Sequence, residues 1–107
     1  MTGIKVAKTS EIAPGNMMGV EIEGKSYLIA NVDGKFHAMD GSCSHMAGQL
    51  WKGKLEGAVV QCPRHGSRFD VRTGEVVSQV KIPLIGKAKP LRTYPIEVRG
   101  DDLYIEF

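Results

Sequence analysis

The chain is short of several things. No stretch approaches the roughly 20 consecutive apolar residues that a membrane-spanning helix needs. No window of helical length keeps an apolar period near 3.6, which excludes a helical bundle. There is no internal repeat and no low-complexity tract. Neither sign of charge dominates: 14 basic and 12 acidic residues leave a net charge of +2, too little to imply nucleic acid as a partner. The opening Met1-Thr2-Gly3-Ile4-Lys5-Val6-Ala7-Lys8 enters a strand-like pattern with no apolar core of a signal peptide, so the expected location is the cytoplasm. Cysteine and histidine are the scarcest chemistry-bearing residues, at two and three. Two cysteines do not make the disulfide framework of a small secreted domain.

What is present points to one small all-β domain spanning residues 1–107. Short β-like runs at 4–8, 20–23, 27–32, 36–39, 58–61, 68–71, 94–98 and 103–107 alternate with glycine turns. Asp33-Gly34 is a strong hairpin signal between two of them. Two regions break the rhythm: the glycine-rich residues 40–57, and residues 81–92, which hold Pro83, Gly86 and Pro90 and read as an extended loop. A domain of this size has little room for both a substrate pocket and a metal site, so a carrier or binding role is favoured over catalysis.

The scarce residues are not scattered. Both cysteines and two of the histidines form matched pairs, Cys43-Ser44-His45 and Cys62-Pro63-Arg64-His65, separated by 16 residues. Each pair offers one thiolate and one imidazole. Structural zinc sites usually pair cysteine with cysteine and histidine with histidine, so a Cys₂His₂ zinc module is the weaker reading. A [2Fe–2S] cluster with two thiolates on one iron and two imidazoles on the other uses this recipe naturally. The flanking residues sharpen it: Leu50, Gly53, Leu55 and Gly57 follow the first pair, and Gly66-Ser67-Arg68-Phe69-Asp70 follows the second.

The stretch from Cys43 to Gly74 resembles the cluster-binding segment of Rieske proteins, and most closely the small Rieske-type ferredoxins. The resemblance continues through Pro90-Leu91-Arg92-Thr93-Tyr94 and Gly100-Asp101-Asp102-Leu103-Tyr104-Ile105. It implies the Rieske fold: an antiparallel β sandwich or barrel base with a cluster-binding subdomain inserted at about residues 41–74. It further implies one cluster per chain, with Cys43 and Cys62 on one iron and His45 and His65 on the other. Ser67 matches a serine whose hydroxyl bonds to cluster or ligand sulfur in high-potential relatives. Phe69 replaces the tyrosine that supplies a second donor there, and there is no cysteine for the disulfide that links their two cluster loops. With two thiolates and two neutral imidazoles the oxidised cluster carries no net charge, and adding an electron to it is easier than adding one to the dianion that four thiolates leave. That raises the potential, and the fewer donors to sulfur keep it in the lower half of the Rieske range, roughly −150 to +50 mV.

The implied function is a soluble, monomeric one-electron carrier between a reductase and a terminal acceptor such as an oxygenase. The alternatives are a small subunit of a larger enzyme, such as a nitrite reductase, and the zinc-binding interaction module. Charge distribution suggests how partners are met. Residues 43–72 carry Lys52, Lys54, Arg64, Arg68 and Arg72 against Glu56 and Asp70, and residues 81–92 carry Lys81, Lys87, Lys89 and Arg92 with no acid. This is either a solvated surface or a dock for an acidic partner. Trp51 is expected either as a docking aromatic at the cluster tip or as a shield of the cluster from water. Leu50 is expected to cover the cluster. His37 reads as an ordinary strand position. Met17, Met18, Met39 and Met46 read as packing residues.

Overall fold

A computed structural model describes residues 3–42, 49–63, 66–78 and 89–107. Among the described residues, eleven strands build three antiparallel sheets. The first contains β1 (Ile4–Lys8), β10 (Ile96–Arg99) and β11 (Asp102–Ile105) in the order β1-β11-β10. The second contains β2 (Met17–Ile22), β3 (Lys25–Val32), β4 (Lys35–Asp40) and β9 (Thr93–Tyr94), in the order β2-β3-β4-β9. The third contains β5 (Lys54–Glu56), β6 (Val59–Gln61), β7 (Arg68–Asp70) and β8 (Val76–Ser78) in chain order. It is inserted in the chain between β4 and β9. Short 3-10 turns lie at Thr9–Glu11 and Leu50–Lys52. The all-β expectation and the sandwich base with an insertion are what the structure shows.

The run Tyr27-Leu28-Ile29-Ala30 is apolar at every position because β3 is covered on both faces. Leu28 and Ala30 join Met39, Leu50, Val60, Cys62, Phe69, Val71 and Leu91 in one buried cluster, between the second and third sheets. Tyr27 and Ile29 face the other way, into a cluster with Ala7, Ile12, Ala38, Tyr94, Leu103 and Ile105. The second sheet is therefore the middle layer. Its hairpin between β3 and β4 is the two-residue turn anticipated from Asp33-Gly34, with φ of 52° and 90° at the two positions. The left-handed pair matches the twist of the flanking strands.

Three boundaries differ from the sequence reading. The single strand expected at 94–98 is two strands in two sheets. Pro95 lacks the N–H that a continuous ladder requires and separates β9 from β10. The glycine-rich 40–57 contains a 3-10 turn and β5, and Val76–Ser78 forms an unanticipated strand. Both strands are three residues long, too short to show a period. Residues 89–92 belong to no strand, as expected of that loop, but they are tied down: Leu91 N–H donates to Gly74 O and Asp40 N–H donates to Arg92 O. The loop's residues 81–88 lie outside the described ones.

Candidate metal centre

Cys62 stands at the end of β6 with 1% of its surface exposed, and it forms no disulfide. Its N–H donates to the Ser67 carbonyl at 2.8 Å, and the Gly66 N–H donates to the Cys62 carbonyl at 3.1 Å. These two bonds close the turn that carries the second Cys/His pair. Gly66 has a φ of 80°, a left-handed conformation that this closure requires and a side chain would strain. Pro63 is exposed at the outer edge of the turn. A depression of about 440 Å³ opens beside Cys62, lined by Lys52, Gly53, Lys54, Gln61, Pro63 and Gly66.

The first pair is approached by a second braced segment. Ser42 and Gln49 form an antiparallel bridge. Gly41 N–H donates to Ser26 O, and Leu50 N–H donates to Gly41 O, both at 3.0 Å. Ser42 and Gln49, which flank residues 43–48, are thereby held side by side. Cys43, His45 and His65 themselves lie outside the described residues, as does Met46.

Ser67 is fully buried, and its hydroxyl finds no hydrogen-bond partner among the described residues. A buried hydroxyl with no acceptor is uncommon and asks for one. Together with the buried, unbridged Cys62 thiol, it forms a donor set suited to an iron–sulfur cluster: a sulfur ligand, and a hydroxyl ready to donate to sulfur. Phe69 is fully buried in the same apolar cluster as Cys62. Leu50 is buried there too, so it is a core residue on the cluster side.

Trp51 packs against the apolar cluster that contains Cys62, and it has a structural role as well. Its ring lies over the backbone of β2: a Cβ placed on Gly19 would stand 2.2 Å from Trp51 Cδ2. A Cβ on Gly41 would come within 3.0 Å of Trp51 Cζ3. The indole thus fastens the segment before the third sheet to the middle sheet. The signal in the sequence was Gly19 in the middle of a strand, a sign of close approach. The methionines do pack: Met39 is buried, while Met17 and Met18 are part-buried against opposite clusters.

Charged groups fall into two sets. One is engaged. Asp40, just before the first pair's segment, accepts from Tyr94 Oη at 2.7 Å and from the Arg92 N–H at 3.2 Å, and pairs with Lys25 Nζ at 3.2 Å. Lys25 also donates to Tyr94 Oη at 3.0 Å. The bond to Tyr94, followed by the Asp40 carboxylate, holds the Lys25 pKa above its ordinary value. Burial raises that of Tyr94. Asp70 is held by Arg72 through two side-chain contacts at 2.8 and 3.0 Å, which depress its pKa. The other set is Lys52 and Lys54, beside Cys62, and Arg68, on the adjoining depression across Gln61 and Gly66; all three are exposed and without an ion pair among the described residues. His37 is part-buried on β4 and lines a separate groove with Arg72 and Tyr94.

The chain matches the Rieske [2Fe-2S] domain over residues 2–95. It is 36% identical over 108 residues to the biphenyl dioxygenase ferredoxin subunit of Pseudomonas sp. (strain KKS102), covering 100% of this chain and 94% of that one. It is 35% identical over 96 residues to the ferredoxin component of the naphthalene 1,2-dioxygenase system of Pseudomonas aeruginosa, covering 90% and 86%. Among solved structures, a chain in the complex of reduced oxygenase and oxidized ferredoxin in carbazole 1,9a-dioxygenase superposes with a TM-score of 0.86 at 30% identity, covering 97% and 92%. The buried thiol and orphaned hydroxyl on one closed turn, the three-sheet fold and these matches agree: the chain belongs to the Rieske [2Fe-2S] domain family.

Proposed function

We propose that this chain is a one-electron carrier that holds one [2Fe–2S] cluster through Cys43, His45, Cys62 and His65, taking electrons from a reductase and delivering them to a terminal oxygenase. The observation that carries the reading is the near end-to-end match to proteins that are themselves ferredoxin components of dioxygenase systems. That match favours a carrier over a small subunit of a nitrite reductase and over a zinc module. The complex of oxygenase and ferredoxin to which the fold is similar supports an oxygenase as the acceptor. When bound, the cluster accepts and releases one electron.

The chain's own residues prepare the place. The 62–67 turn presents the Cys62 thiolate from a rigid strand end, and the core around Leu50, Val60 and Phe69 keeps water from its inner side. The buried Ser67 hydroxyl, without a partner among the described residues, would donate to sulfur, which favours the more negative, reduced state. No helix among the described residues is long and apolar enough to cross a membrane. Action as a monomer in the cytoplasm is part of the same proposal.

The test is analytical. Purified protein should contain two iron and two acid-labile sulfide per chain, the composition of the family's [2Fe-2S] centre. His45→Ala and His65→Ala should each lose or convert it, as should Cys62→Ala. Stoichiometric zinc without sulfide in native protein would overturn the reading.

A further inference from the structure

The third sheet has an outer face whose charges are sorted. Strand register places Lys54 opposite Gln61, Gln61 opposite Arg68, and Arg68 opposite Ser78. These four side chains therefore form one cross-strand row. The next row inward, Leu55, Val60, Phe69 and Val76, points to the opposite face and into the core. The row after it, Glu56, Val59 and Asp70, returns to the outer face. Its Asp70 is engaged by Arg72.

The outer face is thus basic at the end next to Cys62 and slightly acidic at the far end, where Glu56 and Asp70 stand against Arg72 alone. Two strand spacings separate Lys54 from Arg68, about 10 Å. Lys52 lines the same depression as Lys54 and Cys62. A second depression of about 370 Å³, lined by Gln61, Gly66, Arg68 and Ser78, adjoins it across Gln61 and Gly66. The cations have no carboxylate partner among the described residues, although Lys5, Lys25, Arg72 and Arg99 elsewhere all do. Leaving like charges side by side without neutralisation gains the fold nothing. It does create a positive field beside the redox site, able to steer and orient an oppositely charged body.

We propose that this row, Lys54–Gln61–Arg68 with Lys52 at its edge, is a lateral docking shelf for an acidic surface of a redox-partner protein. The inference rests on the carrier reading, since it is the nearness to Cys62 that gives the shelf its use. A mainly polar row, with the exposed Val77 beside Ser78 as its one large apolar neighbour among the described residues, fits a short-lived electrostatic encounter, the kind that electron-transfer partners make through small interfaces. The partner's matching patch is a cluster of Asp and Glu about as wide as the row. Gln61 between the two cations can give or take a hydrogen bond and so reads position without adding charge.

The experiment compares two double charge reversals of equal net charge: Lys54→Glu with Arg68→Glu, and Lys8→Glu with Lys35→Glu. Each protein is reduced with dithionite and oxidised in a stopped flow by hexacyanoferrate(III), a trianion, or by tris(1,10-phenanthroline)cobalt(III), a trication. Each oxidant takes one electron from the reduced protein. At low salt the shelf reversal should slow the trianion about tenfold and speed the trication, with both effects collapsing as salt rises. The distant reversal should change either rate less than about twofold. Lys54→Gln and Arg68→Gln should each give a partial effect, which covers the case in which the double reversal does not fold.

Poly-L-glutamate, standing in for an acidic protein surface, should shift the amide resonances of Lys54, Gln61, Arg68 and Ser78. Equal effects of the two reversals, or shifts centred elsewhere, overturn the shelf. Electron uptake from dithionite and the visible spectrum report separately on the carrier reading. A protein that takes up no electron refutes that reading even if poly-L-glutamate binds the row. A protein that takes one up normally but shows no salt dependence refutes the shelf alone.

Discussion

Asp40 and Arg68 both stand near the roots of the cluster-binding segments, and their charges are used in opposite ways. Around Asp40 every formal charge is spent on structure: Lys25, Tyr94 Oη and the Arg92 backbone all converge on one carboxylate. The carboxylate ties β4 to the strand that follows residues 79–88, which lie outside the described ones. Around Arg68 and Lys54 the charges are exposed, unpaired among the described residues and directed at solvent. Charge that holds a fold together is desolvated and hydrogen-bonded, whereas charge that meets a partner must be left free in the isolated protein. The contrast is sharpest where stability and function are measured separately.

The largest expected effect follows from Asp40→Ala. It removes the acceptor of two hydrogen bonds and an ion pair, and leaves the part-buried Tyr94 hydroxyl and Arg92 N–H short of partners. A loss of about 2–4 kcal/mol in unfolding free energy is expected by denaturant titration. Lys54→Ala and Arg68→Ala should stay within about 0.5 kcal/mol. If all three cost the same, the division between structural and free charge fails. The network also carries a pH signature. Lys25 and Tyr94 both have folded pKa values raised above their ordinary 10.5 and 10.0. The folded state then binds more protons than the unfolded one, so the linked stability is complete below about pH 10 and drains as pH rises beyond it. Tyr94→Phe should flatten that alkaline decline.

Gly19→Ala comes next. The methyl group meets the Trp51 ring, which also lies against Gly41 and can yield only toward the depression it lines with Met17 and Leu55. Overpacking of this kind is worth about 1–3 kcal/mol. Because Trp51 joins the middle sheet to the segment leading into the third, the variant should also loosen the cluster-side sheet. Faster amide exchange in β5 and β6 with β1 and β11 unchanged would show that coupling. Uniform exchange across all three sheets would show that Trp51 is ordinary core.

These two regions also mark what a sequence can reveal. The Cys/His pairs, the hairpin at Asp33-Gly34 and the doubly buried β3 are local signals, carried by spacing, turn chemistry and composition over a few residues. Asp40, Tyr94 and Lys25 lie up to 69 positions apart, and only the pairing of β3, β4 and β9 brings them together. The row Lys54–Gln61–Arg68 is likewise a product of strand register, invisible until β5, β6 and β7 are aligned. The packing of Trp51 was not legible because its partner is a glycine backbone 32 positions earlier, and the sequence shows a missing side chain, not what fills the space.

A smaller effect is expected at Ser67, where stability and redox behaviour should part company. A buried hydroxyl without a partner among the described residues contributes nothing to the empty fold. Ser67→Ala should therefore leave cluster-free protein as stable or slightly more so. In loaded protein the same change removes a donor to sulfur. One hydrogen bond of about 1 kcal/mol corresponds to roughly 40 mV for a one-electron couple, so the midpoint should fall by tens of mV. Protein-film voltammetry reads the midpoint directly. An unchanged midpoint with lowered stability would mean that the hydroxyl serves the fold.

The smallest effect is expected at His37, which shares a groove with Tyr94 and Arg72 but forms no hydrogen bond to the Asp40 network among the described residues, and tests whether the contrast covers the whole molecule. Burial lowers its pKa below the ordinary 6.5, and the nearby Arg72 charge lowers it further, while Asp70 pulls the other way. The unfolded chain therefore holds the proton in a window where the folded chain has released it. Stability linked to His37 is complete above about pH 6.5 and is lost as pH falls through that window toward the folded pKa. The side chain is only part-buried, so the change is a fraction of a kcal/mol. Asp70, whose pKa is depressed by Arg72, adds a second loss at more acid pH, below its ordinary 3.8, so the two are separable. Unfolding curves at pH 7 and pH 5 should differ in the parent protein and differ less in His37→Gln. If His37→Gln keeps the full difference, the titrating group lies elsewhere. If it also alters the salt dependence of electron transfer, the groove it shares with Arg72 belongs with the free charges and not with the structural ones.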